Sequence, residues 1–246
     1  MTESTKEVKI VTAAFLIIGN EILSGKTQDT NLQNLSKNLN KIGIRLSQAR
    51  VVLDIEEDII FAVRELCAKY NYVFTSGGIG PTHDDITTNA IAKAFGAQLY
   101  SDDYVYSLLE TYYKNRGDAM NEGRAKMAIV PQGCTLIENE ISTAPGFALK
   151  NVFVFAGIPR IFNAMLNAAI AKNYISGGSV MHSQTVELDI LESVIAKQLS
   201  DLQVKYPLVE IGSYPQIGYT QIVATSYYPH LINEVIALIK TLAPMR

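Results

Sequence analysis

Residues 75–87 read Thr-Ser-Gly-Gly-Ile-Gly-Pro-Thr-His-Asp-Asp-Ile-Thr. A short apolar run, residues 72–74, comes before this stretch and predicts a buried strand. Apolar residues recur after it at helical spacing, namely Ile86, Ala90, Ile91 and Ala94. The stretch is therefore predicted to be a loop that joins a strand to a helix, with the helix entered at Asp84 or Asp85.

Three glycines, Gly77, Gly78 and Gly80, lie within four residues of this loop. Glycine adopts positive φ and lets a ligand approach the backbone closely, because it has no Cβ. The loop amides can then face an anion, and the first turn of the following helix stabilises the same charge. The loop is predicted to bind phosphate, with Ser76 and Thr82 as polar neighbours.

Two adjacent acids, Asp84 and Asp85, follow the glycines. Carboxylates beside a phosphate repel it unless a hard divalent ion such as Mg2+ bridges them. The alternative is structural, because Thr82 and Asp85 have the spacing of a capping box. Three glycines and two acids together exceed what a cap requires, so the loop favours metal-assisted phosphate chemistry, with His83 as a bystander.

Residues 76–87 resemble the signature of the molybdopterin-binding, or molybdenum cofactor biosynthesis, domain family. The version with Pro-Thr and paired aspartates is similar to that of the competence-damage-inducible protein A branch and of the N-terminal domain of eukaryotic FAD synthase. Molybdopterin adenylyltransferases have a single acid at the place of Asp85 and a basic residue at the place of Asp84. The resemblance therefore argues against adenylyl transfer.

The residues that open the chain form a second motif. A continuous apolar run, residues 13–18, is typical of a central parallel strand that is covered on both faces. Glu21 and Asp29 follow it, and on the residues alone they are caps or solvated acids as readily as functional groups. Residues 19–31 resemble the opening motif of the FAD synthase N-terminal domain, which implies a substrate site at the carboxyl ends of the strands.

Asp54 comes directly after a predicted strand, residues 45–53, and before a helix. A helix cap whose acid suits the dipole is the structural alternative. In the family an acid at this place belongs to the substrate site. The resemblance therefore makes Asp54 a catalytic candidate after Asp85 and Asp84.

Two later loops also resemble family motifs. Residues 143–147 are similar to a Thr-Ala-Pro-Gly-Phe turn that faces the substrate, although a plain hairpin turn is the alternative. Residues 156–160 resemble a Pro-Gly-x-Pro loop, with Ala156 in place of the first proline. The resemblance implies substrate contacts for Pro145, Gly146, Gly157 and Arg160. Arg124 and Lys126 are either further bases of the site or members of a solvated helix face.

The composition restricts the class of protein. The 246 residues are 48% hydrophobic and 18% charged, with a net charge of −3, so no electrostatic feature favours nucleic acid or a membrane surface. Cys67 and Cys134 lack metal-ligand spacing, which fits a reducing cytoplasm. Residues 1–11 are predicted to be a flexible extension without the features of a signal peptide.

The order of predicted elements indicates two domains. Residues 12–172 are expected to form an α/β three-layer sandwich around a mainly parallel sheet, the fold that the resemblance implies. Residues 173–246 have a βαββα pattern and are expected to form a small C-terminal α+β unit. Tyr104, Tyr112 and Tyr113 belong to an amphipathic helix, and this stripe is interpreted as core or subunit interface rather than as a stacking platform. It predicts a homo-oligomer, with a dimer favoured over a trimer.

The function that the resemblance implies is metal-dependent cleavage of the pyrophosphate in ADP-ribose, FAD or a related dinucleotide. Asp85, with Asp84 or Asp54, would hold Mg2+, Mn2+ or Co2+, and the glycine loop would hold the diphosphate. The alternatives are a protein that binds molybdopterin or another pterin phosphate without turnover, and a molybdopterin nucleotidyltransferase.

Overall fold

The computed structural model describes residues 7–243, which divide into two compact units. The first unit is residues 10–177, and the second joins residues 7–9 to residues 178–243. These boundaries differ by a few residues from the predicted 12–172 and 173–246. Residues 1–6 of the predicted flexible extension lie outside the described residues, while Val11 already belongs to the first strand.

The first unit contains eight strands and seven helices among the described residues. The strands are β1 (Val11–Ile18), β2 (Ile44–Val52), β3 (Tyr72–Ser76), β4 (Leu99–Ser101), β5 (Ile129–Pro131), β6 (Thr135–Ile137), β7 (Gly146–Leu149) and β8 (Val152–Phe155). The helices are α1 (Asn20–Leu23), α2 (Asn31–Lys41), α3 (Glu56–Lys69), α4 (Thr87–Phe95), α5 (Asp103–Lys114), α6 (Glu122–Lys126) and α7 (Pro159–Ala171).

Six of these strands form one sheet in the order β2-β1-β3-β8-β7-β6. The first four strands are parallel, and β7 runs antiparallel to both of its neighbours. Ser76, the last residue of β3, lies opposite Ile17 of β1 and Phe155 of β8. The carboxyl ends of the three strands therefore meet at one edge of the sheet.

Helices cover both faces of the sheet. Phe15 and Phe74 pack toward α2 and α7, in a core that includes Leu35 and Phe162. The neighbouring residues Leu16 and Val73 face the opposite side, where α3 and α4 contribute Val63, Ile91 and other apolar side chains. Strand β1 is buried on both faces, as its continuous apolar sequence predicts. The predicted three-layer α/β sandwich is confirmed.

A segment between α4 and β6 stands apart from these layers. It contains α5 and α6, and its strands β4 and β5 pair only with each other among the described strands. Val105, Leu109 and Ala128 form a small core of its own. This segment supplies one wall of the site that is described below.

The second unit is the predicted α+β unit. Its elements are β9 (His182–Leu188), α8 (Glu192–Lys205), β10 (Glu210–Gln216), β11 (Tyr219–Ser226) and α9 (Pro229–Ile239). The strands form an antiparallel sheet in the order β10-β11-β9. Alternate residues of β11, such as Ile222 and Ala224, are buried against side chains from both helices. Within residues 7–243, no helix is long and apolar enough to cross a membrane.

Candidate functional site

A cleft of about 610 Å³ lies at the carboxyl edge of the parallel strands. The chain leaves β1 toward β2 on one side, while β3 and β8 lie on the other, so the strand order reverses between β1 and β3. Ligands of open α/β sheets bind at such a reversal point. The cleft is lined by residues 18–27, Asp54, the loop from Gly77 to Asp85, Tyr113, Met127, residues 139–144 and residues 156–165.

The glycine loop has a backbone that only glycine tolerates at two positions. Gly77 and Gly78 have φ values of +103° and +70°. A Cβ on Gly77 would lie 2.2 Å from the Ile18 carbonyl oxygen, and one on Gly78 would lie 2.1 Å from Thr87 Oγ1. The Gly77 amide donates to the Phe155 carbonyl at 3.1 Å, and the Thr87 amide donates to the Gly78 carbonyl at 2.9 Å. The loop therefore packs tightly between β1, β8 and α4.

The helix after the loop begins at Thr87, with Ile86 as its N-cap. The prediction that the helix is entered at Asp84 or Asp85 was therefore wrong. The Thr87 amide instead donates to the Gly78 carbonyl, so the loop turns back on itself before the first helical turn begins. Asp84 and Asp85 lie in the loop, in front of the helix.

The two acids of the loop are joined by one hydroxyl. Thr82 Oγ1 lies 2.5 Å from Asp84 Oδ1 and 2.5 Å from Asp85 Oδ2, and Asp85 Oδ2 also accepts from the Thr82 amide at 2.8 Å. The hydrogen bond from Thr82 is the main cause that lowers the pKa of Asp84, followed by a backbone hydrogen bond. Asp84 is therefore a carboxylate at neutral pH, and both acids line the cleft.

Acids also line the opposite side of the cleft. Asp54 Oδ2 accepts from the Asn20 amide at 2.9 Å, and the Asp54 amide donates to Asn20 Oδ1 at 3.2 Å. These bonds hold the loop after β1 in place, and Asp54 does not cap the helix that follows it, because the N-cap of α3 is Ile55 and no side chain bonds there. Glu21 folds back over Gly19, where a Cβ would lie 2.7 Å from its carboxylate oxygens.

The charge of the cleft is one-sided. Glu21, Asp54, Asp84 and Asp85 all line it, whereas no lysine or arginine within residues 7–243 does so. Glycine-loop amides are the groups suited to an anion at this place. An anionic ligand therefore needs a cation of its own to offset the four carboxylates.

The acids fit a cation that is shared with a ligand. Among residues 7–243 no group of three or more His, Cys, Asp or Glu side chains is placed to hold a metal ion. Mg2+ is commonly held by one or two carboxylates together with substrate phosphates and water. Asp84 and Asp85, which share the Thr82 hydroxyl, match that donor set better than a closed protein cage.

Several predicted site residues lie away from the cleft. Asp29 Oδ1 accepts from the Leu32 amide at 2.8 Å, as a cap of α2 does. Gly146 is buried in β7, where a Cβ would lie 2.5 Å from the Val154 carbonyl oxygen. Pro145 lines two neighbouring cavities of about 220 Å³ each, and Arg160 is exposed. Gly157 does line the cleft. Substrate roles for these residues stay predictions.

Asn31, the first residue of α2 and the last of the motif at residues 19–31, is buried. Its Nδ2 donates to Ser76 Oγ at 2.9 Å and to the Gly157 carbonyl at 2.8 Å, and the side chain is 2% exposed. Its Oδ1 is buried without a hydrogen-bond partner among the described residues. Asn31 thus ties the start of α2 to the loops after β3 and β8, a long-range role that no local signal reveals.

Asn139 organises the loop before β7. It is 5% exposed, its Oδ1 accepts from the Ile141 amide at 2.9 Å, and its Nδ2 donates to the Ala144 carbonyl at 2.9 Å. Thr143 of the same loop has φ +67°, an uncommon conformation for a β-branched residue. Backbone strain of this kind is often found at binding sites.

Helix α6 fixes the acid-bearing loop from outside. Lys126 Nζ donates to the Thr82 carbonyl, and a Cβ on Gly123 would lie 2.8 Å from the Pro81 carbonyl oxygen. Lys126 lines a cavity of about 220 Å³ that also contains Gly80 and Asp85. Of the predicted bases, Lys126 is the one that the structure brings to the acids, because Arg124 pairs with Asp118.

These features define an α/β domain with a ligand cleft at the reversal point of its sheet. Residues 14–174 match a family described as a probable molybdopterin binding domain, and residues 180–241 match the FAD synthase middle domain. The chain belongs to the molybdopterin-binding domain family, which confirms the resemblance drawn from the glycine loop.

Relatives agree with this assignment. A CinA-like protein of Desulfosudis oleivorans is 32% identical over 217 residues, which cover 83% of this chain and 52% of the relative. A probable FAD synthase of Caenorhabditis elegans is 33% identical over 228 residues, or 84% of this chain and 44% of the relative. This chain therefore spans about half the length of these two relatives.

A crystal structure of the protein CinA from Thermoplasma acidophilum shares the fold. It superimposes with a TM-score of 0.61 at 33% identity and covers 65% of this chain and 98% of its own.

Proposed function

We propose that the first unit is a metal-dependent nucleotide pyrophosphatase that acts on ADP-ribose, FAD or a related dinucleotide. The observation that carries the proposal is the charge of the cleft, in which four carboxylates face glycine-loop amides without a lysine or arginine among the described residues. A diphosphate binds such a cleft when divalent cations accompany it. Nucleotide ligands are also consistent with relatives that are named FAD synthases.

The chain's own residues divide the work. The amides of residues 78–80 would hold the diphosphate, since the Gly77 and Thr82 amides already donate to Phe155 and Asp85, and the Thr82 hydroxyl keeps Asp84 and Asp85 side by side for a cation such as Mg2+, Mn2+ or Co2+. The bound cation would polarise a phosphoryl oxygen and make water a stronger nucleophile. Asp54 stands on the other side of the cleft, where its carboxylate can accept a proton from that water.

Lys126 complements the acids from the adjoining cavity. It lines that cavity together with Asp85, so its ammonium would offset charge that develops on a phosphoryl group at the acids. Its bond to the Thr82 carbonyl also restricts the loop that carries both acids.

The test is turnover of ADP-ribose, FAD, NAD and NADH by the purified protein, with each metal in turn, scored as AMP release by chromatography. Metal-dependent AMP release that Asp85→Ala abolishes and His83→Ala retains would support the proposal, because His83 shares the loop. Folded protein that releases no AMP with any metal would refute it.

The second candidate is a protein that binds a pterin phosphate such as molybdopterin without turning it over. The description of the matching family favours it, and the same amides and acids would serve. Tight binding of a pterin phosphate, without AMP release from any dinucleotide, would establish this alternative. Nucleotidyl transfer is the less favoured third candidate, since Asp84 stands where the adenylyltransferases have a base.

Self-association belongs to the same proposal. Tyr104 is 63% exposed on α5, and a large exposed aromatic is typical of a subunit interface. We expect a homo-oligomer in light scattering, with a dimer favoured, and a smaller species for Tyr104→Glu.

A further inference from the structure

Tyr113, near the end of α5, contributes an aromatic ring to the wall of the cleft. It also lines a shallow depression on its other side, together with Pro81, Gly123 and Arg124. Arg124 lines that depression but not the cleft. The Arg124 guanidinium lies 4.0 Å from the ring centroid, so it contacts the Tyr113 ring from the depression and not from the cleft.

The guanidinium is fixed by further contacts. Its Nη2 lies 3.2 Å from Asp118 Oδ2, and its Nη1 donates to the Ala119 carbonyl. A guanidinium held in this way supports the ring by a cation–π contact and restricts its rotation. The ring therefore presents a preorganised apolar face to the cleft.

The ring is also fixed relative to the phosphate-binding loop. Gly123 of α6 packs against the Pro81 carbonyl, and Lys126 bonds to the Thr82 carbonyl. Arg124 lies between these two residues on the same short helix. The Tyr113 ring and the glycine loop are thus held at a fixed position relative to each other, so one ligand can contact the ring with a planar group and the loop with a phosphate.

We infer that Tyr113 is a ligand-binding residue whose ring, backed by Arg124, stacks on a planar heterocycle of the bound molecule. The inference rests on the proposed function only in that the ligand occupies this cleft, because nucleobase, flavin and pterin rings share the same chemistry. Tyr113 also packs against the small core of its segment, as the sequence interpretation expected, and the inference adds a ligand-binding role for its ring. Tyr112, the neighbouring tyrosine, stacks with Arg116 at 4.6 Å and does not line the cleft, although its ring meets the Tyr113 ring edge-on at 5.2 Å.

The test is calorimetric titration of the full chain, with a divalent ion present, by FAD, ADP-ribose, a pterin monophosphate and inorganic pyrophosphate. Stacking on a side chain contributes about 1–3 kcal/mol per base. We expect Tyr113→Ala to weaken the heterocyclic ligands about tenfold and pyrophosphate by less than about twofold, while Tyr113→Phe and Tyr112→Ala change little. If Tyr113→Ala weakens the binding of FAD alone, the flavin is the ring that stacks on Tyr113. Weaker binding of ADP-ribose would identify adenine as that ring, and weaker binding of the pterin monophosphate would identify the pterin.

The inference would be overturned if Tyr113→Ala weakened the binding of all four probes equally. It would also be overturned if Tyr113→Phe or Tyr112→Ala lost as much affinity for the heterocyclic ligands as Tyr113→Ala does. Failure of every heterocyclic ligand to bind would do so as well. Chromatography of the sample after each titration shows whether the dinucleotide was hydrolysed, so the stacking inference and the proposed function can fail independently. Intact dinucleotide with a strong Tyr113 effect would refute the pyrophosphatase and leave the stacking residue in place.

Discussion

The two walls of the cleft are built in different ways. On one wall, the glycine loop holds its acids through contacts within four residues, from Thr82 to Asp84 and Asp85. On the other wall, Tyr113 reaches the cleft from α5, while Lys126 of α6 supports the glycine loop from the adjoining cavity, through a bond to Thr82 that spans 44 residues of chain. The first wall follows from local sequence, whereas the second depends on how a separate segment packs. Substitutions on the two walls should therefore differ in kind.

The largest effect is expected on the first wall, from Asp85→Asn. The amide can still accept from Thr82, so the loop should keep its shape, but the charge that holds a cation is lost. We expect kcat for the dinucleotide to fall by about a hundredfold or more, as for other lost electrostatic contacts in active sites. Asp29→Asn is the matched control, because Asp29 caps α2 and asparagine caps equally well. Similar losses in both variants would contradict the distinction between site acid and cap.

Gly77→Ala tests the backbone of the same wall. The added Cβ would lie 2.2 Å from the Ile18 carbonyl oxygen, at a φ that alanine rarely adopts. We expect the free energy of unfolding in urea to fall by about 2–4 kcal/mol. Gly25→Ala is the control, since Gly25 also has positive φ but its added Cβ would have no heavy atom within 4 Å, so this variant should lose less. Equal losses would attribute the effect to φ alone.

Lys126→Met probes the second wall. The variant keeps the aliphatic stem but removes the ammonium beside Asp85 and the bond to Thr82. We expect kcat to fall about tenfold, or about 1.4 kcal/mol, with little change in stability. Arg160→Met should be silent, because Arg160 is exposed and does not line the cleft. A larger effect from Arg160→Met than from Lys126→Met would reverse the assignment of the two bases.

Thr143→Gly should raise the free energy of unfolding by about 1 kcal/mol, because it relieves a β-branched residue of positive φ. Activity should fall if the strained loop positions the ligand. Asn173→Gly, at φ +56° outside the cleft, should change stability by a few tenths of a kcal/mol, since asparagine tolerates this conformation. Urea unfolding and kcat/KM of both variants give the comparison.

The smallest effect concerns pH. The pKa of Asp84 is lowered from its ordinary value of 3.8 by the Thr82 hydrogen bond. The folded state therefore binds the proton less readily than the unfolded state, so the stabilisation is present above pH 3.8 and is lost as the pH falls through the lowered pKa. The urea midpoints of the wild type and Asp84→Asn should converge in strong acid. Divergence on acidification would show that the Thr82 bond does not favour the charged form.

Sequence patterns predicted individual elements of the fold, and the family resemblance implied the layers in which they are arranged. The apolar run of β1 required burial on both faces, and the spacing of apolar residues after the loop required a helix. They misjudged the start of α4, because the bond between Thr87 and Gly78 that delays the helix closes only when the loop folds back. They did not separate a capping role from a ligand-binding role for Asp29, since a capping acid and a ligand-binding acid follow a loop in the same way.

The local sequence therefore predicted the loop for which we propose phosphate and cation binding. Glycine at positive φ and acids two or three residues from a hydroxyl are properties of neighbours in sequence. Asn31, Tyr113 and Lys126 acquire their roles from partners 44 or more residues away, or from the cleft that distant loops enclose. Only the packing of α2, α5 and α6 against the glycine loop brings them together, because side-chain periodicity specifies which face is buried and not which distant residue it meets.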